Sequence, residues 1–219
     1  MFPYARLRPA DPEWFPPTTA ADPDGLLAYG GDVRPARLLA AYRRGIFPWF
    51  ANDEPPLWWS PDPRCVLLPD ELRVSHSMRS VLRKNAFEFE VNTACGAVIE
   101  ACRTTARPGQ DGTWITPAVR AAYLELHRQG YVHSAEAWAD GQLVGGLYGV
   151  WLGDVFFGES MFAHVANASK FAFIRWVEHL RGRGVGLVDC QVETAHLLSL
   201  GARLIPRAGF EARLRELGV

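Results

Sequence analysis

The sequence predicts a mixed α+β protein, with a small, loop-rich N-terminal unit over residues 1–63 and a larger mixed-sheet unit over residues 64–219. Three observations carry this. The first 63 residues are broken repeatedly by Pro and Gly yet hold four of the eight tryptophans, Trp14, Trp49, Trp58 and Trp59. Residues 133–162 alternate through three strand-like runs joined by two tight turns, Asp140-Gly141 and Gly153-Asp154. Beyond them a long helix, a strand, a short helix, a strand and a last helix follow in turn, which sets helices around a sheet of mixed direction.

Taken in order, one helix is expected in the N-terminal unit after Pro35, whose fixed φ suits a first turn. Leu38, Leu39 and Tyr42 share its apolar face and Gly45 ends it. CVLLP at 65–69 reads as a strand leading to a short helix after Ser75. FEFEV at 87–91 alternates as a half-buried strand, and an apolar-periodic helix follows Thr93. Thr116 and Pro117 start a helix that keeps Val119, Tyr123 and Leu126 in register until Gly130 stops it. After the three antiparallel strands, Asn167 is expected to cap a helix running to about Arg181. VGLVDCQV at 185–192 is a strand, a short helix runs to Leu200, ARLI at 202–205 is another strand, and a helix completes the chain.

With 219 residues, 48% of them hydrophobic, the chain can bury a core and disorder is not expected. The net charge of −1 means that a nucleic-acid partner must be held by a local patch, not by the field of the whole molecule. The four cysteines, Cys65, Cys95, Cys102 and Cys190, lack CxxC spacing, and no charged and apolar leader opens the chain. A disulfide framework, a zinc ribbon and secretion are therefore not expected, and a reducing cytoplasm is. The six histidines form no HxxxH pair, so no metal is expected. No run of about 18 apolar residues offers a membrane span.

Candidate functional residues stand out by being polar where their surroundings are not. Asp189 and Gln191 are two apart on an expected strand and leave the same face, while Val188 and Cys190 leave the other. A strand end facing solvent carries the same pattern. Glu159 interrupts the apolar run VFFGESMF, where a carboxylate is costly unless paired or set in a cleft; strand parity places it with Phe157 and Met161. A buried structural ion pair is the alternative. Ser160 lacks the second glycine and the strand-to-helix turn of a nucleophile elbow. Gly182, Gly184 and Gly186 follow a helix and precede a strand, the reverse of a phosphate loop, and read as a helix end and turn. Between residues 64 and 84, five basic residues face two acidic ones. Arg79 and Arg83, four apart on one helix face beside Lys84, could reach successive phosphates, although a solvated helix face looks the same. Trp49, Trp58, Trp59 and Trp114 could stack a base or belong to the core.

Seven ordered blocks now carry a resemblance over nearly the whole chain: GLLAYGGD (25–32), RGIFPWF (44–50), WWSPDPR (58–64), GTWIT (112–116), GESMF (158–162), NASK (167–170) and DCQ (189–191). The chain resembles the bacterial leucyl/phenylalanyl-tRNA protein transferases. That resemblance implies transfer of Leu or Phe, and Met less well, from aminoacyl-tRNA to the N-terminal Arg or Lys of acceptor proteins, marking them for N-degron degradation. It also implies a small N-terminal domain before an acyl-CoA N-acyltransferase (GNAT-like) domain. In acetyltransferases of that type a glycine-bearing loop grips the CoA pyrophosphate ahead of a helix. The corresponding junction here, Met161 to Asn167, has no glycine, so the fold is expected without a CoA site and without any cofactor.

The resemblance further assigns roles. Asp189 and Gln191 map to the catalytic pair, which either relays a proton or only positions the attacking amine. Gln is no base at neutral pH, and proximity alone can provide about 7 to 11 kcal/mol, so positioning is the physical preference. Glu159 is suited to the cationic head of the acceptor. The donor side-chain pocket maps to Leu147, Phe156, Met161, Phe173, Trp176, Leu180 and Val188, of which Leu147, Phe173 and Trp176 depart from common family choices. Trp49 and Trp114 match the pair that sandwiches the terminal adenosine, and Arg79, Arg83 and Lys84 would hold tRNA phosphates.

Overall fold

The computed structural model describes residues 4–51, 54–105 and 112–219. The N-terminal unit forms a small sheet that its sequence did not predict. Strands β1 (Ala5–Leu7) and β2 (Leu26–Gly30) precede helix α1 (Pro35–Tyr42), and β3 (Phe47–Pro48) and β4 (Leu57–Trp59) follow it, in the order β1-β2-β4-β3. Strands of two to five residues among prolines show no periodicity long enough to read. The helix after Pro35 is present, and Gly45 ends its loop at φ +70°, where an added Cβ would lie 2.8 Å from the Phe210 ring.

From Arg64 onward each expected element is found. They are β5 (Arg64–Leu67), α2 (His76–Arg83), β6 (Glu88–Val91), α3 (Cys95–Thr104), α4 (Pro117–Arg128), β7 (Val132–Ala139), β8 (Gln142–Leu152), β9 (Val155–Ala163), α5 (Ala168–Gly182), β10 (Leu187–Gln191), α6 (Ala195–Ser199), β11 (Arg203–Ile205) and α7 (Arg207–Glu216). The strands form one mixed sheet, β11-β5-β10-β9-β8-β7-β6, parallel at β9/β10 and antiparallel elsewhere. Ser75 and Thr116 cap α2 and α4 as expected, each accepting from a backbone N–H three residues on. One expected cap differs, and Thr93 does not cap the helix that follows it. Asn167 takes a left-handed backbone at φ 70° with no side-chain cap bond, and Thr93 turns its hydroxyl to the buried Glu136 instead of to α3. Glu136 also accepts from the Ala94 N–H, the Ser134 hydroxyl and the Trp138 indole, so this buried carboxylate serves as structural glue.

Two apolar layers sandwich the large sheet. One holds α5 and Met78 of α2, with Phe156, Phe173, Trp176 and Val188. The other joins α1, α3, α4 and α7 to the small sheet through Leu38, Val98, Val119, Phe210 and Trp58, so both sheets share one core.

Two bulges break the alternation that strand parity assumes. Along β9, Gly158 pairs with Gly149 and Ser160 with Tyr148, which leaves Glu159 as the extra residue. Glu159 therefore faces Tyr42 and Tyr123 on the α1 side, whereas Met161, paired with Leu147, packs on the α5 side. The expectation that the two share a face fails for this reason. A second bulge lies between Asp189 and Gln191, where Gln191 takes a left-handed backbone at φ 57°.

Candidate active site

A cleft of about 340 Å³ opens between the small sheet and the ends of β9 and β10, and its walls include Phe47, Trp49, Trp59, Trp114, Glu159 and Gln191. Five residues that the sequence singled out thus meet: Trp49, Trp59, Trp114, Glu159 and Gln191. Trp49 is 53% exposed and is steadied by the Trp59 indole, which donates to its carbonyl at 2.6 Å. Trp114 is buried on one side against Tyr123. Asp24, exposed, adds a second carboxylate at the rim.

Glu159 is held from below. The Tyr123 hydroxyl donates to its Oε2 at 3.0 Å, Tyr42 hydrogen-bonds both Tyr123 and the carboxyl, and Oε1 has no partner among the described residues. Burial pushes the Glu159 carboxyl up to about 7; the two tyrosine hydrogen bonds and the Arg64 charge oppose that rise, and the Asp189 charge adds to it. Both tyrosines are raised well above their ordinary value by burial, so they stay neutral donors. The site therefore holds a carboxyl half-charged near neutrality with one oxygen unclaimed.

Asp189 lies beneath the cleft, fully buried, as does its partner Arg64 on β5. Arg64 Nε and Nη2 donate to Oδ1 and Oδ2 at 2.8 and 2.7 Å, and the guanidinium sits between the Phe47 and Phe210 rings, 4.8 and 4.6 Å from their centroids. Oδ1 also accepts from the Gln191 backbone N–H at 3.0 Å. Asp189 thus grips the main chain of Gln191, where the left-handed turn aims the side chain at the cleft. With both oxygens occupied, Asp189 is no free base.

The seven donor-pocket candidates come together on the α5 side. Leu147, Phe156, Phe173, Trp176, Leu180 and Val188 are buried, and Met161 is half-buried against them. The Phe156 and Trp176 rings meet edge-on at 5.2 Å, and Trp176 is stacked on His179. Parallel pairing of β9 with β10 stops at Phe157 and Asp189, so ladder hydrogen bonds no longer separate this layer from the cleft beyond that point. Arg79, Arg83 and Lys84 are exposed on α2, on the α5 side of the sheet, and none lines the cleft. Three residues of the site went unread in the sequence. Tyr42 and Tyr123 look like ordinary core positions on helical faces, and Arg64 was seen only as one of a basic cluster. Among the described residues no group of three or more His, Cys, Asp or Glu is placed to hold a metal, and no helix is long and apolar enough to cross a membrane.

Comparison with known proteins now bears on this geometry. The family described as leucyl/phenylalanyl-tRNA protein transferase matches residues 66–215, and its N-terminal domain matches residues 31–62. Proteins named leucyl/phenylalanyl-tRNA–protein transferase include one from Aromatoleum aromaticum, 56% identical over 98% of this chain and 89% of the relative. One from Anaeromyxobacter sp. (strain K) is 57% identical over 97% and 90%, and one from Myxococcus xanthus 52% identical over 97% and 91%. Solved structures are more distant. A GCN5-related N-acetyltransferase from Kribbella flavida aligns over 79% of this chain and 61% of that one, at 14% identity and a TM-score of 0.38, too remote to fix a fold family. Identity above one half along nearly the full length is another matter, and on it this chain belongs to the leucyl/phenylalanyl-tRNA protein transferase family.

Proposed function

We propose that this chain is an aminoacyltransferase that moves Leu or Phe, and Met less readily, from aminoacyl-tRNA to the N-terminal Arg or Lys of an acceptor protein. The observation that carries it is the cleft itself, where stacking surfaces and a carboxyl with a free oxygen adjoin an apolar layer. Trp49 and Trp114 hold the terminal adenosine, the esterified side chain enters the layer of Phe156, Trp176 and Val188 where β9 and β10 part, and Glu159 takes the cationic head of the acceptor. The amine nitrogen attacks the ester carbonyl, the carbon–oxygen bond to the ribose breaks, and that oxygen leaves with a proton. The ester is already activated, so the residues' task is placement. An α-amine with a pKa near 7.7 to 8.0 is roughly a tenth to a sixth neutral at pH 7, and the Gln191 side-chain carbonyl can accept one of its hydrogens to aim the lone pair. Asp189 and Arg64 fix that turn.

The raised Glu159 carboxyl favours a second reading, in which it collects the amine proton instead of reading the acceptor side chain. We also read residues 1–63 as a small domain and 64–219 as a GNAT-like one. In support, the two sheets divide near residue 60, and a parallel pair parts at the cleft. Incubation with labelled Leu-tRNA and two peptides differing only in N-terminal Arg or Ala tests the function. Label should enter the Arg peptide alone; equal labelling, or none, contradicts it.

A further inference from the structure

We propose that Arg43, Arg44, Arg183 and Arg215 form a docking strip for the phosphodiester backbone of the donor RNA, separate from the α2 patch. This rests on the reading of an aminoacyl-tRNA donor. Two concave surfaces, of about 440 and 430 Å³, adjoin at the C-terminal end of α1. Arg43 is a wall of both. The first also presents Arg44 and Arg215, and the second presents Arg183. All four are exposed, and among the described residues none has a carboxylate partner.

Ten of the sixteen other arginines among the described residues are spoken for. Arg34, Arg37, Arg64, Arg103, Arg120, Arg128, Arg175, Arg203, Arg207 and Arg213 all pair with acids. Arg6, Arg8, Arg73, Arg79, Arg83 and Arg181 also lack an acid partner among the described residues, but here four such guanidiniums, Arg44 held only by the Phe15 carbonyl, line two adjoining hollows and concentrate positive charge in a chain of net charge −1. Glu211 is the only carboxylate side chain among the described residues lining the two hollows, and it accepts a hydrogen bond from the Thr18 hydroxyl. Arg183 lies over the Trp151 ring at 5.8 Å, which pins one end of the strip. Because Arg43 is shared, the charges are laid side by side along two hollows and do not converge on one point. That suits an extended polyanion better than a single small anion.

Position points the same way. α1 and α7 lie on the face of the large sheet that carries the cleft, whereas α2 lies on the other. Arg44 and Trp49 are five positions apart, at most about 18 Å of chain, so an RNA whose end is stacked at Trp49 has its next few phosphates within reach of the strip. Such contacts carry no base information, as an enzyme using more than one tRNA requires.

The test combines Arg43→Ala, Arg44→Ala and Arg215→Ala in one variant and measures tRNA affinity across a salt series. Transfer is measured from Leu-tRNA and from leucine esterified to a CCA trinucleotide, too short to reach the strip. Loss of three contacts should reduce the slope of log affinity against log salt by about 2 to 3. Affinity at moderate salt should fall at least tenfold, transfer from the trinucleotide should stay within twofold of the parent, and the matching triple Lys variant should recover the slope. An unchanged slope overturns the proposal, as does an equal loss with both donors or an effect confined to the KM of the acceptor peptide. If the parent protein moves leucine from neither donor, the functional reading fails while the salt slope still decides the strip.

Discussion

The behaviour of two buried carboxylates decides the chemistry. Glu159 has a folded pKa of about 7, above its ordinary value near 4.5, so the native state holds that proton longer than the unfolded chain does. The stability associated with the proton is present below pH 4.5 and is lost as the pH rises through 7. Glu159→Gln removes the burden of a buried charge and should stabilise the protein at pH 8 by about 3 kcal/mol, an advantage that vanishes in melts run near pH 4.5. The same titration shapes activity. Below pH 7 the parent loses both the Glu159 charge and the neutral amine, so kcat/KM for an Arg-initiated acceptor should fall more steeply with acid than it does in Glu159→Gln, which retains only the amine ionisation. Equal slopes would remove Glu159 from acceptor binding. Asp189 behaves differently, because the guanidinium of Arg64 matches both its oxygens. Asp189→Asn leaves Arg64 buried without a counter-charge, a loss of about 3 to 5 kcal/mol in such pairs. It should lower kcat at least tenfold for Arg and Lys acceptors alike while tRNA affinity stays within twofold; weakened tRNA binding with normal kcat would contradict the positioning role.

The two bulges are what turn a sheet into a site. Alternation from Phe157 brings Glu159 to the face of Tyr42 and Tyr123, and the extra residue in β9 then sends Met161 to the opposite face, into the layer under α5, so that one strand serves both walls. Gly149 permits that bulge, since a Cβ there would collide with the Phe157 carbonyl and the Phe156 ring. Gly149→Ala should therefore cost about 1 to 3 kcal/mol and most of the transfer activity. Gly158→Ala, whose Cβ would lie 3.5 Å from the Asp189 carbonyl, should be far milder. Comparable stability and activity in the two variants would show that the bulge does not depend on Gly149. Elements from residue 64 onward were legible because their periods run long enough to read and because Ser75, Thr116, Asp140-Gly141 and Gly153-Asp154 punctuate them. The bulges were not, since an extra residue leaves no mark in a pattern of apolar and polar letters.

Across the whole molecule, the chemistry was legible as residue types and the geometry only partly. The motif blocks pointed to Trp49, Trp114, Glu159 and Gln191, and the fold brings them to one cleft although 142 positions separate the first from the last. The small sheet escaped notice, yet it supplies Trp49 and Trp59, and Trp58 anchors it in the core it shares with α1 and α4. The buried Arg64 was invisible as a partner because no sequence spacing couples it to Asp189, 125 residues away. The central claim is that Glu159 reads positive charge at the acceptor's first residue. It is met most directly by comparing peptides that begin with Arg or with citrulline, its uncharged isostere, as acceptors for the parent and for Glu159→Gln. A charge-assisted hydrogen bond of about 1.5 to 3 kcal/mol predicts that the parent prefers Arg by roughly 10- to 150-fold in kcat/KM and that the variant loses most of this preference. The same preference in both proteins would contradict the account.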